Sequence, residues 1–257
     1  MDLTFYKYQG TGNDFIMIDN REEFFPKDNH EQIALLCDRR FGIGADGLIL
    51  LENHDNLDFT MVYYNADGHT SSMCGNGGRC IAAFAQFLGI VSDQVEFEAI
   101  DGVHSAKIHG DTVSLQMQDV TEIREKDSYV FLNTGSPHHV QLVANLDAFE
   151  VAKEGAKLRY GIYGEKGSNI NFVEPNANGF GVRTYERGVE DETLSCGTGV
   201  TAVAIAMHST GKTTANRVTI QSPGGNLEVA FEKNGIGYKN IYLSGPAKQV
   251  FKGTIVC

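Results

Sequence analysis

Two short strings in this chain of 257 residues set a thiol beside glycine: Cys74-Gly-Asn-Gly77 and Cys196-Gly-Thr-Gly199. Each cysteine precedes a glycine-rich loop and then an apolar run that reads as a buried helix, so each thiol stands where a helix begins. Unpaired N–H groups there carry about half a positive charge, which favours thiolate over thiol and attracts carboxylates. Glycine lets a ligand approach that backbone closely. One such loop is weak evidence, because glycine turns before helices are common. Two, 122 residues apart, are stronger. Two acid/base groups flanking one site suit the removal of a proton from one face of a carbon and its return to the other. A carboxylate held at the helix starts helps, because it stabilises the negative charge that develops on its own α-carbon. The Cα–H of an amino acid is so weak an acid that a base needs this help and a site that excludes water. Many amino-acid racemases use pyridoxal phosphate instead, but the sequence gives no positive sign of a lysine-and-phosphate site. A cofactor-free, two-base mechanism is therefore expected, with no metal.

The elements that must position these loops occur twice. Thr11-Gly-Asn13 matches Thr134-Gly-Ser136, Arg40-Phe-Gly-Ile43 matches Arg159-Tyr-Gly-Ile162, and the strand at 95–98 matches that at 218–221, all at offsets of 119 to 123. Four matches in one order make the chain two copies of one domain. Hydropathy predicts, in the first copy, strands at 3–8 and 15–19, a helix over 29–40 and strands at 48–52 and 57–64. A buried helix over 80–88 ending at Gly89 and strands at 95–99, 103–108 and 112–117 follow. The second copy repeats this with helices at 149–159 and 199–209, the latter apolar on all faces and so enclosed by sheet. The expected fold is α/β (α+β type): two homologous domains, each a mixed, mostly antiparallel sheet round a central helix, with the active site in the cleft between them. The boundaries read as 1–117 and 118–246, with a linker near 118–127 and a C-terminal strand at 247–257 that joins the first domain.

Composition narrows the partners. The formal charge is −12 and apolar residues make up 42%, which suits a globular chain but not a phosphate-backbone binder, so no nucleic acid is expected. No apolar run approaches membrane length, and the N-terminus lacks signal-peptide character, so a cytoplasmic location with no membrane partner is expected. The five cysteines, an odd number without CxxC spacing, argue against a disulfide framework or zinc. Cys37, Cys80 and Cys257 read as small buried apolar residues.

Eight strings now carry a resemblance: Gly12-Asn-Asp-Phe15, Arg40-Phe-Gly-Ile-Gly-Ala-Asp46, Asn65-Ala-Asp-Gly68, Cys74-Gly-Asn-Gly-Gly-Arg-Cys80, Ser136-Pro-His138, Asn169-Ile-Asn171, Tyr185-Glu-Arg-Gly188 and Cys196-Gly-Thr-Gly199. In order and over most of the chain, they resemble diaminopimelate epimerase. The resemblance implies interconversion of L,L- and meso-2,6-diaminopimelate in lysine and peptidoglycan synthesis, without cofactor. It implies that Cys74 and Cys196 are the acid and base, and that backbone N–H groups at Gly75, Asn76, Gly197 and Thr198 hold the reacting carboxylate. Arg187, Asn65 and Asn169 would hold the far end, Glu186 an amino group, and Asn13 a further contact, while His138 would tune the catalytic centre. A guanidinium suits a distal carboxylate because it grips both oxygens. Two positions depart from the family pattern: Ser136 replaces a common asparagine, and Gly47 a common glutamine that touches substrate.

Each residue also has a plainer reading. Arg187 would serve in a surface ion pair, Asn65 and Asn169 as turn residues, His138 as a structural histidine, and Glu190–Glu192 as a solvated acidic loop. Two other functions fit the pattern: a proline or hydroxyproline racemase-like isomerase, and a non-catalytic amino-acid-binding protein. A one-ended substrate would not need Arg187 and Glu186 together, and a binder would need neither thiol. A homodimer is the assembly considered.

Overall fold

A computed structural model describes residues 2–256, so Cys257 lies outside the described residues. The chain divides into two compact units, one formed by residues up to 115 together with those from 245 onward, the other by 116–244. In chain order the first unit holds β1 (Asp2–Gly10), β2 (Asn13–Asp19), α1 (His30–Cys37), β3 (Gly47–Glu52), β4 (Phe59–Asn65), α2 (Gly75–Phe87), β5 (Gln94–Ala99), β6 (Gly102–His109) and β7 (Thr112–Gln116). The second holds β8 (Ile123–Glu125), β9 (Val130–Asn133), β10 (Pro137–Leu142), α3 (Val151–Tyr163), β11 (Asn169–Asn176), β12 (Gly179–Glu186), β13 (Asp191–Thr193), α4 (Gly197–Ser209), β14 (Arg217–Ser222), β15 (Gly225–Asn234) and β16 (Gly237–Pro246). The last strand, β17 (Lys248–Val256), pairs with β1 in the first unit.

Strand pairing repeats the duplication. The first unit runs β17-β1-β2-β3-β4-β5-β6-β7, parallel at β2–β3 and β4–β5 and antiparallel elsewhere. The second runs β8-β9-β10-β11-β12-β14-β15-β16 with its parallel pairs at the same two places, β10–β11 and β12–β14. Only β13, a short hairpin partner of β12, has no counterpart. Parallel neighbours need a crossover, and in each unit a helix makes each one.

Alternation along β2, β3 and β4 assigns the two helices of the first unit to opposite faces. Ile16, Ile18, Leu48, Leu50 and Tyr64 form one cluster with Ile33, Leu36 and Cys37 of α1. Phe15, Ile49 and Met61, on the other face, lie against Gly77 of α2. With both faces covered, Phe15 to Ile18 and Leu48 to Leu51 are fully buried, as in strands enclosed on two sides. α3 covers Ile170, Phe172 and Tyr185 in the same way. Every residue of α4 from Gly197 to Met207 except Thr198 is buried, which accounts for its all-round apolar sequence.

Three expectations are corrected. The first buried helix starts at Gly75 rather than 80, and the second at Gly197 rather than 199. Glycine is a poor helix former, but here burial and the enclosing sheet outweigh propensity. The helix expected over 29–40 ends at Cys37, where the Asp38 side chain accepts from the N–H groups of Arg40 and Phe41 and turns the chain. The stretch 118–127 is more than a linker, since Val120 bridges to Tyr238 and β8 lies within it. As expected, Gly89 and Gly211 follow the ends of α2 and α4 with φ of 73° and 70°, the left-handed geometry glycine tolerates.

No helix of the described residues is long and apolar enough to cross a membrane, and no cluster of three or more potential metal ligands occurs among them.

Candidate active site

Both loop cysteines are helix N-caps. Cys74 is extended (φ −94°, ψ 134°) and its carbonyl accepts the first helical bond from Gly78 N–H at 2.7 Å. Cys196 is extended too (φ −117°, ψ 110°), and its carbonyl accepts from Val200 N–H at 2.9 Å. Neither side chain caps its helix. Serine or aspartate there would bond the first-turn N–H groups and stabilise the helix by about 1 kcal/mol. A thiol leaves those donors for another acceptor. Cys37 and Cys80 differ: burial pushes both thiols up to about 12, so they stay protonated and inert.

In the first unit the thiol sits in an amide network. Cys74 Sγ donates to Asn13 Oδ1 at 3.5 Å, and Asn76 Nδ2 reaches the same oxygen at 3.4 Å. The Asn13 amide is oriented by Asp46, whose carboxylate accepts from Asn13 Nδ2 at 2.6 Å. Asp46 is in turn paired with Arg39 at 2.7 Å. Asn65 ends β4 in an exposed turn, where its N–H donates to the His69 carbonyl at 2.9 Å. Its ladder partner is Gly47. A side chain at 47 has no room: a Cβ there would lie 2.5 Å from the Tyr63 ring and from the Tyr64 carbonyl. The Tyr63 ring, packed edge-on against Phe15 at 6.0 Å, covers Gly47.

In the second unit a chain of hydrogen bonds leads to the other thiol. Asn171 Oδ1 accepts from the Thr184 hydroxyl at 3.0 Å, and its Nδ2 donates to the His139 carbonyl at 2.9 Å and to His138 Nδ1 at 3.1 Å. That amide orientation makes Nδ1 an acceptor and puts the imidazole proton on Nε2. Nε2 then donates to Thr198 Oγ1 at 2.9 Å, and Thr198 Oγ1 lies 3.5 Å from Cys196 Sγ. His138 is fully buried, and burial, then the Arg187 charge, lowers it to about 3, so it is a neutral donor. Gly199 makes room for this arrangement: a Cβ there would be 2.5 Å from Asn171 Oδ1 and 3.4 Å from Cys196 Sγ.

Asn169 links the remaining residues. Its Oδ1 accepts from Arg187 N–H at 2.8 Å and its Nδ2 donates to Ser136 Oγ at 3.1 Å. With that orientation fixed, its 3.4 Å approach to His138 Nε2 brings two donors together and is no hydrogen bond. The Arg187 side chain is exposed and donates to the Lys166 carbonyl at 3.0 Å, and among the described residues it pairs with no carboxylate. Glu186 accepts from the Thr193 hydroxyl at 2.8 Å. The acidic stretch beyond is not a solvated loop. Glu190 pairs with Arg159 at 3.1 Å, Glu192 with Arg183 at 2.6 Å, and residues 191–193 form β13.

Within the first unit, then, Asn13, Cys74 and Asn76 are in contact, with Gly75 in the same first turn and Asn65 on a neighbouring strand end. Within the second, His138, Asn169, Arg187, Cys196 and Thr198 are connected, with Gly197 and Glu186 adjacent in the chain. Asn171 and Asp46 were not singled out from the sequence. Both lie inside strings that carry the family resemblance, and Asn171 follows Asn169 by the two-residue strand period, which was the available signal.

The sequence matches the family described as diaminopimelate epimerase over residues 5–123 and 130–250. A diaminopimelate epimerase of Flavobacterium psychrophilum is 61% identical, with 98% of this chain and 100% of that one covered. One from Aquifex aeolicus is 38% identical, with 98% of each covered. Among solved structures, a phenazine biosynthesis protein of the PhzF family from Bacillus anthracis covers 100% of both chains at a TM-score of 0.78 and 12% identity. A hydroxyproline epimerase from Agrobacterium vitis, with bound trans-4-hydroxy-L-proline, covers 99% of this chain and 92% of its own at 0.71 and 14%. These two likenesses are of fold.

Proposed function

The chain belongs to the diaminopimelate epimerase family, and on that premise we propose that it inverts one α-carbon of 2,6-diaminopimelate with Cys74 and Cys196 as the proton-transferring pair. The observation that carries the reading is the equivalent placement of the two thiols: each caps a buried helix without bonding it, once in each copy of the duplicated unit.

Inversion needs a proton removed from one face and another delivered to the opposite face. One thiolate takes the α-proton, and the electron pair left on carbon spreads into the adjacent carboxylate. N–H groups at Gly75, Asn76, Gly197 and Thr198 bind that carboxylate and stabilise its growing charge. The other cysteine, as thiol, gives its proton to the far face, and the reverse reaction exchanges their roles. Neutral His138 orients the Thr198 hydroxyl beside Cys196. Arg187, whose exposed side chain donates to the Lys166 carbonyl, grips the distal carboxylate with Asn169 and Asn65, while Glu186 accepts from an ammonium. Asn13 holds the Cys74 side. No cofactor takes part, the reaction belongs to the cytoplasm, and a homodimer is the assembly proposed.

The test is α-proton exchange in deuterated buffer with purified enzyme. Exchange and epimerisation of diaminopimelate, with proline and 4-hydroxyproline inert, support the reading. Binding without exchange would leave an amino-acid-binding protein instead.

A further inference from the structure

Arg79 is the most deeply buried charge among the described residues. It lies in the first turns of α2, five positions after Cys74, with no accessible surface. Its Nη1 donates to the Gly75 carbonyl and its Nη2 to the Thr11 hydroxyl, both at 3.3 Å, and its Nε has no partner. Among the described residues no carboxylate contacts it; the titratable groups beside it are the Cys80 and Cys74 thiols, and Cys80 is neutral. A buried cation without an acid is strongly unfavourable unless something anionic completes it. Thr11 adds to the cost. A β-branched residue at φ 52° is strained, yet the turn it forms brings its hydroxyl to the guanidinium.

The carbonyl that Arg79 binds belongs to the same peptide unit as the Asn76 N–H. A donor on the oxygen of an amide polarises it and strengthens its N–H as a donor on the other side. The second unit repeats the contact with a neutral group. Thr201, five positions after Cys196 and fully buried, donates from Oγ1 to the Gly197 carbonyl at 3.0 Å. That carbonyl shares its peptide with the Thr198 N–H.

We propose that Arg79 is a positioning residue for the reacting carboxylate: its buried guanidinium fixes and polarises the Gly75–Asn76 peptide and supplies the positive charge that an anion at the start of α2 completes, with Thr201 the uncharged counterpart in the second unit. The proposal rests on the reading of the helix starts as the carboxylate site. It makes the two helix starts unequal, because only the first is backed by a full charge.

Calorimetric titration with diaminopimelate, at its equilibrium mixture of isomers, tests this on the intact enzyme. Arg79→Gln keeps a donor but removes the charge and is expected to weaken binding by about tenfold or more. Arg79→Lys restores the charge and is expected to bind within about threefold of wild type, a rescue that a packing role alone would not give. Thr201→Val loses a neutral donor and is expected to cost about threefold. Thr11→Val, which leaves the cation but removes one anchor, gives a second arm if Arg79→Gln does not fold, again with a loss of about threefold. Wild-type affinity in every folded Arg79 and Thr11 variant overturns the proposal, as does a Thr201→Val loss equal to that of Arg79→Gln. Binding is read without proton transfer, so this outcome is separable from failure of the two-thiol reading, which shows instead as undiminished epimerisation by cysteine variants.

Discussion

Burial, then the Arg187 charge, lowers His138 to about 3, so it is uncharged at neutral pH. The sign follows from linkage. Its folded value of about 3 lies below the ordinary 6.5, so the unfolded chain takes up a proton that the folded one refuses. The contribution is fully present above pH 6.5 and is lost as pH falls toward 3, by roughly 1 kcal/mol per pH unit. His138→Gln should flatten that slope, which urea midpoints at pH 6.5 and 4.5 will measure; equal slopes in both proteins would contradict it. At the thiols the expectation is sharper. Cys74→Ala should abolish epimerisation in both directions, since each direction needs a base and an acid. Cys196→Ser should leave traces, because a hydroxyl donates a proton but is a far weaker base. Deuterium uptake from each isomer distinguishes them, and a near wild-type Cys196→Ser enzyme would refute a two-base mechanism. Residues such as Cys74 and Cys196 were legible because type and position coincide. Arg79 was not, because nothing in a sequence says that a guanidinium is buried without an acid.

The helices and strands explain where glycine is obligatory. Gly199 lets Asn171 reach the start of α4, so Gly199→Ala should displace the Asn171–His138–Thr198 chain, cost about 1–3 kcal/mol of stability and lower turnover. Thermal denaturation with initial rates will show whether both fall together. At Gly47 the obstacles are the Tyr63 ring and the Tyr64 carbonyl, and the departure from the family glutamine has its structural reason there. Gly47→Gln alone should be destabilising by about 1–3 kcal/mol, and Gly47→Gln with Tyr63→Val should recover only the part due to the ring, because the Tyr64 carbonyl remains. No recovery in the double variant would mean that the Tyr64 carbonyl, not the ring, sets the limit. Element type was readable from period and from the glycine stops after α2 and α4, whereas the helix starts were misplaced because glycine propensity argues against the first turns. What decides those turns is burial, which propensity does not record.

At the scale of the whole chain the duplication was the most legible feature, since four short strings recur in order at offsets of 119 to 123, and strand pairing repeats it with parallel steps at the same two places in each unit. The hairpin β13 and the ion pairs of Glu190 and Glu192 were hidden, because a run of acids looks the same whether solvated or paired. The reading as a thiol enzyme predicts that EDTA and carbonyl reagents leave the rate unchanged while iodoacetamide removes it; an EDTA-inactivated enzyme restored by metal would contradict it. Finally, β17 is the last strand of the described residues, yet it pairs along β1, the first. The second unit is one unbroken stretch, while the first is finished only when residues from 245 onward arrive. On the ribosome, at about 5–20 residues per second, residues up to 115 therefore wait roughly 7–27 s for their closing strand while the whole of the second unit is made. The part of the gene translated first becomes the part of the protein assembled last, and nascent chains cut short before β17 should show a protease-resistant second half beside a digestible first.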